Sequence, residues 1–191
     1  MTFRTREEWL LAAAHEVAVD VFGEHEISVP QVRISVGFPG GPGKKSGVIG
    51  QCWNTGATED GRPAIFIHPS LNDRVEILGC MVHELIHAVD DCASGHKGSF
   101  VKMFRLLGMT GKPTQCAVGD ELRVKLKDIA TRLGVYPHSA IKKGASTRRK
   151  QGTRMLKVVC LGECGYTLRT TRQWLDTGLP TCACGAEMGE A

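Results

Sequence analysis

His83, Glu84 and His87 stand inside an apolar stretch, "CMVHELIHAVDDCASGHKGSF" at residues 80 to 100, and His96 follows nine residues after the second histidine. Residues four apart on a helix share a face, so His83 and His87 can both reach one zinc ion at about 2.0–2.1 Å. Glu84 sits beside them. It can take the proton of a water that zinc has acidified to a pKa of about 7, while that water attacks a carbonyl. A catalytic zinc also needs a third protein ligand and an open fourth position. Ser94 and Gly95 end the helix and let the chain swing back, which favours His96 as that ligand, with Glu121 as the rival. The longer pattern H-E-x-x-H-x-x-G-x-x-H fails, because it requires Gly and His where the chain has Asp90 and Ala93. A purely structural zinc would leave Glu84 without a purpose. Asp90 and Asp91 either accept from a ligand N–H or simply solvate a helix end. The chemistry expected is zinc-assisted hydrolysis with Glu84 as the catalytic base.

Cys160, Cys164, Cys182 and Cys184 form a second group, two close pairs separated by seventeen residues. Such pairs can grip a tetrahedral zinc, and the insert can form a ribbon. Four thiolates fill the coordination sphere, so this zinc is structural and holds a piece too short to fold by burial alone. A pair of disulfides is the competing reading, disfavoured in a reducing compartment. The ribbon interleaves aromatic and basic residues, Tyr166, Arg169, Arg172 and Trp174. These suit base stacking and phosphate contact, unless Trp174 fills the ribbon's small core. Cys52, Cys80, Cys92 and Cys116 are scattered and expected as small buried hydrophobes.

Elements that position these residues can be read from capping and periodicity. Thr5 and Glu8 make a capping box for a first helix with Trp9, Ala13, Val17 and Val21 on one face, and Gly23 is the expected stop. "VRISV" (32–36), "VIGQCW" (48–53) and "AIFIH" (64–68) read as strands. The glycine-rich loop after the first strand is no phosphate loop, since Phe38 and Lys45 occupy positions that need Gly and Ser or Thr. Asn72 or Asp73 caps the helix bearing the histidines. A short helix follows using Phe100, Phe104 and Leu107, then another using Leu122, Leu126, Ile129 and Leu133. The expected fold class is α+β, with a domain over 1–134, a basic linker over 135–154 and a zinc ribbon over 155–191.

The 191 residues carry a net charge of +4, unevenly spread. Residues 122–157 hold 11 basic side chains and 1 acidic one, between two mildly acidic segments. This points to a polyanion, most simply nucleic acid, through Lys142, Lys143, Arg148, Arg149, Lys150 and Arg154. The competing reading is a solvated linker. No apolar run suits a membrane span, and the first residues lack an export signal. The expectation is an intracellular, cytoplasmic monomer near nucleic acid, with one catalytic and one structural zinc.

The segments "VHELIHAVDD", "SGHKGSF" and "CLGECGY…PTCACG", with "GVIGQCW" and "IFIHPSL" before them, resemble the SprT-like zinc metallopeptidases over nearly the whole chain. The resemblance implies a compact gluzincin-like protease domain with His83, His87 and His96 as ligands and Glu84 as base. It also implies an endopeptidase acting on proteins bound to DNA, possible in the nucleoid or, for a viral protein, the host cytoplasm. Some relatives carry recruitment tails for ubiquitin or a clamp, and nothing here corresponds to them. Two other classes compete: a non-catalytic nucleic-acid-binding protein with a metal-stabilised scaffold, and a zinc hydrolase of a non-protein substrate.

Overall fold

A computed structural model of the chain describes residues 2–40, 47–115, 117–142 and 155–191. The chain divides into two compact units, Met1–Lys143 and Gly144–Ala191.

In the first unit, helix α1 (Arg6–Val17) starts at the expected box: the Thr5 hydroxyl accepts from the Glu8 amide at 3.2 Å, and the Glu8 carboxylate accepts from the Thr5 amide at 3.2 Å. Two backbone donors that the helix leaves unpaired are thereby satisfied. Trp9, Ala13, Val17 and Val21 all face the core. Gly23 does not stop the helical winding. The chain widens into a π turn at Ala18–Phe22 and tightens into a 3₁₀ turn at Gly23–His25, and Glu26, at φ 56°, ends it.

Strands β1 (Arg33–Val36), β2 (Gly50–Trp53) and β3 (Ala64–Ile67) form one small sheet with β3 in the middle, parallel to β1 and antiparallel to β2. Alternation along β3 buries Ile65 and Ile67, the period-two pattern of a half-buried strand. Of the two candidate caps, Asp73 is the one used, accepting from the Glu76 amide at 2.8 Å at the start of helix α2 (Arg74–Val89). From Ile77 to Ala88 every residue of α2 is buried, so this helix runs through the core rather than over it. Helix α3 (Gly98–Leu106) contributes Phe100 and Phe104, and α4 (Asp120–Leu133) contributes Leu122, Leu126, Ile129 and Leu133. A two-residue hairpin, β4 (Met109–Thr110) with β5 (Ala117–Val118), joins them. The Arg74 guanidinium donates to the Ala130 and Gly134 carbonyls at 2.9 Å each, closing the C-terminus of α4.

The second unit is a three-stranded antiparallel sheet, β6 (Leu156–Cys160) flanked by β7 (Thr167–Thr170) and β8 (Met188–Glu190), with the short helix α5 (Arg172–Thr177) between the outer strands. Its apolar core is small: Val158 and Met188, with Leu168, Leu175 and Ala186 against them. The chain is thus mixed α and β, with small sheets. Among the described residues no helix is long and apolar enough to cross a membrane.

Residues 135–142, expected as the start of a linker, instead return to the first unit. Tyr136 is buried against Trp9 with ring centroids 4.9 Å apart. His138 and the Ile141 amide both reach the Pro69 carbonyl, at 2.9 Å each. The segment lacks a period because it is an irregular strap rather than a helix or strand, and one aromatic anchors it. Burial pushes the Tyr136 phenol up to about 12. Truncating Tyr136 to alanine should therefore lower the unfolding free energy by about 2–4 kcal/mol, measured by denaturant titration, as expected of a large core side chain. A linker residue would cost nothing measurable.

Candidate metal centre and its cleft

Helix α2 carries His83 and His87 one turn apart, and the turn after it brings His96 back over them. The His96 Nε2 lies 3.2 Å from the His83 Nε2 and 3.3 Å from the His87 Nε2. Three ligands at about 2.0–2.1 Å from one tetrahedral ion stand about 3.3–3.4 Å from each other. His96 therefore already stands at zinc-site spacing from both partners, and all three ligand nitrogens lie within 4.8 Å of one another. Glu121, the rival third ligand, is exposed on the first turn of α4 and is not part of this group.

Phe100 fixes the rings. It stacks on His87 at 4.3 Å between centroids and meets His83 and His96 edge-on at 5.0 and 5.1 Å. The sequence marked Phe100 only as the apolar face of a short helix. A signal was present in its place four residues after His96, but periodicity alone gives a core residue no contact partner. Burial, then the neighbouring His83 and His96, hold His87 down to about 4. It is consequently neutral near pH 7, the form that offers a lone pair to a metal.

Glu84 is 3% exposed and lies against the edge of the sheet. A Cβ at Gly50 would stand 2.4 Å from the Glu84 Oε1 and 2.5 Å from the Cys80 Sγ, so only glycine at this position lets the carboxylate rest on β2. The three histidines and Glu84 open onto a cleft of about 660 Å³ whose walls include Val48 to Cys52, Cys92, Thr114 and Gln115. Cys80 is buried as expected, but Cys52 and Cys92 line the cleft, and Cys116 lies outside the described residues. Burial raises both cleft thiols and keeps them protonated.

Of Asp90 and Asp91, considered as acceptors for a ring N–H, Asp91 and one oxygen of Asp90 have other partners, while Asp90 Oδ1 is buried without one among the described residues. Asp90 Oδ2 accepts from the Ser94 amide at 3.3 Å and the Ser99 hydroxyl at 3.1 Å. Asp91 accepts from the amide and hydroxyl of Thr55, at 2.8 and 2.9 Å.

In the second unit the four cysteine sulfurs converge, with Cys160–Cys184 and Cys164–Cys182 each 3.5 Å apart. A disulfide needs about 2.05 Å. Four sulfurs at about 2.3 Å from one zinc stand about 3.8 Å apart, which this arrangement approaches. The Gly162 amide donates to the Cys160 sulfur at 3.3 Å. The backbone at Tyr166 draws Cys164 down to about 7, while in the metal-free cluster Cys160 and Cys182 are pushed up, so the case for a metal rests on the convergence of the four sulfurs. Both groups thus suit zinc.

The residues expected to touch nucleic acid are placed unevenly. Arg169 is exposed on β7, and Trp174 is 62% exposed, so Trp174 does not fill the ribbon core; Leu175 does. Arg172 makes a forked pair with Glu190 at 2.8 and 2.6 Å, and its charge is partly spent inside the ribbon. Lys142 is exposed, while Lys143, Arg148, Arg149, Lys150 and Arg154 lie outside the described residues.

Compared with known protein families, curated proteins and solved structures, the chain finds no match.

Two measurements probe this geometry. Gly50→Ala should displace the Glu84 carboxylate and destabilise the first unit by about 1–3 kcal/mol, as overpacking does, while its metal content stays that of wild type. The second concerns pH. His87 in the folded chain binds a proton only near pH 4, whereas the unfolded chain binds it near 6.5. Metal-free protein should therefore lose stability as pH falls from about 6.5 toward 4, with no further loss from this group below that. Unfolding titrations across that range should show a shallower slope for His87→Gln.

Proposed function

We propose that the chain is a zinc-dependent endopeptidase resembling the SprT-like proteases, a gluzincin-like domain followed by a zinc ribbon. It would act on DNA-associated proteins, with DNA as recruiter or activator. The observation that carries the reading is the convergence of three imidazoles, with the His96 nitrogen 3.2 and 3.3 Å from those of His83 and His87, beside a buried carboxylate in a cleft bounded by a sheet edge.

His83, His87 and His96 would hold the catalytic zinc, and Cys160, Cys164, Cys182 and Cys184 the structural one. Zinc at the histidine site would supply Lewis acidity toward a carbonyl and lower the pKa of a water. Glu84 would serve as the general base that takes a proton from water and returns it to the leaving amine. Gly50 keeps the Glu84 carboxylate at the cleft floor.

The cleft wall favours a peptide over a small molecule. Strand β2 is an outer strand of its sheet, and its residues Gly50, Gln51 and Cys52, with Val48 and Ile49 just before it, border the cleft. An extended peptide can add to such an edge through main-chain hydrogen bonds. Binding of this kind reads backbone more than side chains, which suits a protease directed by where its substrate sits.

The nucleic-acid part of the proposal rests on the basic segment 122–157 and on Tyr166, Arg169 and Trp174 exposed on the ribbon. Bases stack on exposed aromatics while cations meet phosphates, and a tethered substrate is held at high local concentration.

The test is cleavage of a basic DNA-binding protein, and of the chain itself, with and without single-stranded DNA. Wild type should cleave in the presence of DNA. Glu84→Gln should keep both zinc ions and lose about 10²–10⁴-fold in rate, the range for a general base. Zinc-loaded wild type that binds DNA and cleaves nothing would instead support the non-catalytic nucleic-acid-binding reading.

A further inference from the structure

Asp90 and Asp91 occupy a costly place. They follow the last residue of α2, where the helix presents the negative end of its dipole and acidic side chains are disfavoured. Asp91 and Cys92 are also consecutive non-glycine residues in the left-handed region, at φ 51° and 60°. Such strain lasts only where surrounding contacts hold it, and it concentrates at functional sites.

Those contacts are specific. The Cys92 amide bonds back to the His87 carbonyl at 2.7 Å, which turns the chain sharply after the second histidine. The Asp91 carboxylate takes both donors of Thr55, just beyond the end of β2. The Asp90 carboxylate takes the Ser94 amide and the Ser99 hydroxyl, and those two serines share a bond of 2.6 Å. Ser94 and Ser99 bracket His96. The turn that presents His96 is thus fastened on one side to the strand bordering the cleft and on the other to the start of α3.

We infer that Asp91, with Thr55, and Asp90, with Ser94 and Ser99, are positioning residues that hold His96 at the metal centre. This rests on the proposed metal site. Neither aspartate needs to touch the ion. Each fixes a backbone whose freedom would otherwise have to be removed when the third imidazole binds, and that preorganisation raises metal affinity.

The test is competition between the full chain and a chelator for zinc, with the ribbon's zinc as internal control. Asp91→Ala and Thr55→Val should each weaken the histidine site by about 10–100-fold, the usual effect of losing a group that orients a ligand. The ribbon zinc should be unmoved. Asp91→Asn tolerates the left-handed backbone and keeps an acceptor for the Thr55 amide, so it should restore most of the affinity. Asp91→Gly relieves the strain yet removes the clamp: its metal-free form should unfold no more easily than wild type while its zinc affinity still falls, so a folding defect cannot imitate the result. On a His96→Ala background, Asp91→Ala should change zinc affinity less than about twofold. Two zinc ions in wild type with unchanged affinity in Asp91→Ala and Asp91→Gly would overturn the clamp alone. A single zinc ion, in the ribbon, would overturn the metal site itself and the clamp with it.

Discussion

Burial of ionisable groups within helix α2 is the constraint on which the first unit depends. Twelve consecutive positions, Ile77 to Ala88, are buried, and three of them are His83, Glu84 and His87. A buried polar group without a partner costs several kcal/mol by transfer estimates, so the helix is tolerable only if its polar face meets a matching surface. That surface is assembled from distant parts: Gly50 of β2 for the carboxylate, Phe100 of α3 and the turn bearing His96 for the imidazoles. A metal ion at the three histidines would supply the remaining compensation, since its attraction for three lone pairs replaces the water that the rings lose. The rest of the unit can then be apolar. Trp9, Leu78, Leu85, Leu126 and Ile129 are fully buried around the helix and carry no chemistry.

The ribbon meets the opposite problem. Its core is Val158 and Met188 with three partly buried neighbours, far less apolar area than a unit of its size needs to fold alone. Four sulfurs stand in for that missing core, and the strands serve chiefly to bring them together. The same economy explains the surface. With so few residues to bury, Tyr166, Trp174, Leu161 and Leu179 are left at the surface. Scattered exposed apolar residues are ordinary, but two exposed aromatics and an exposed Arg169 on a unit this small are a chemical feature of its surface.

What was legible in the sequence follows from which interactions are local. The caps at Thr5 and Asp73, the spacing of His83 and His87, and the helical stripes involve residues within a few positions of each other. His96 was readable because a glycine-flanked turn limits where it can go. Contacts between distant segments left weaker marks. Gly50 appears in the sequence as one more strand glycine, and only the approach of Glu84 gives it a role. Tyr136 sits in an aperiodic, basic stretch, so its docking on Trp9 had no pattern to announce it. Gly23 has the residue type of a helix stop, yet it opens a 3₁₀ turn that continues the winding, and Glu26 takes the left-handed position instead. Arg172 looked like a phosphate ligand because its partner, Glu190, is eighteen residues away.

The stabilising features of the first unit each satisfy a local preference: the caps, the Arg74 closure of α4 and the Trp9–Tyr136 contact. Around the cleft, preferences are violated together: acidic residues at a helix C-terminus, two left-handed non-glycine residues, buried imidazoles and a strand glycine. Sequences that only needed to fold would have little reason to keep these, because replacing any one of them with a locally preferred residue is a small change. Their concentration around His83, His87 and His96 is more economically explained by a requirement for fixed ligand geometry than by chance. A rigid apolar scaffold that absorbs the cost elsewhere is what permits such a centre to be held in advance of its ligand.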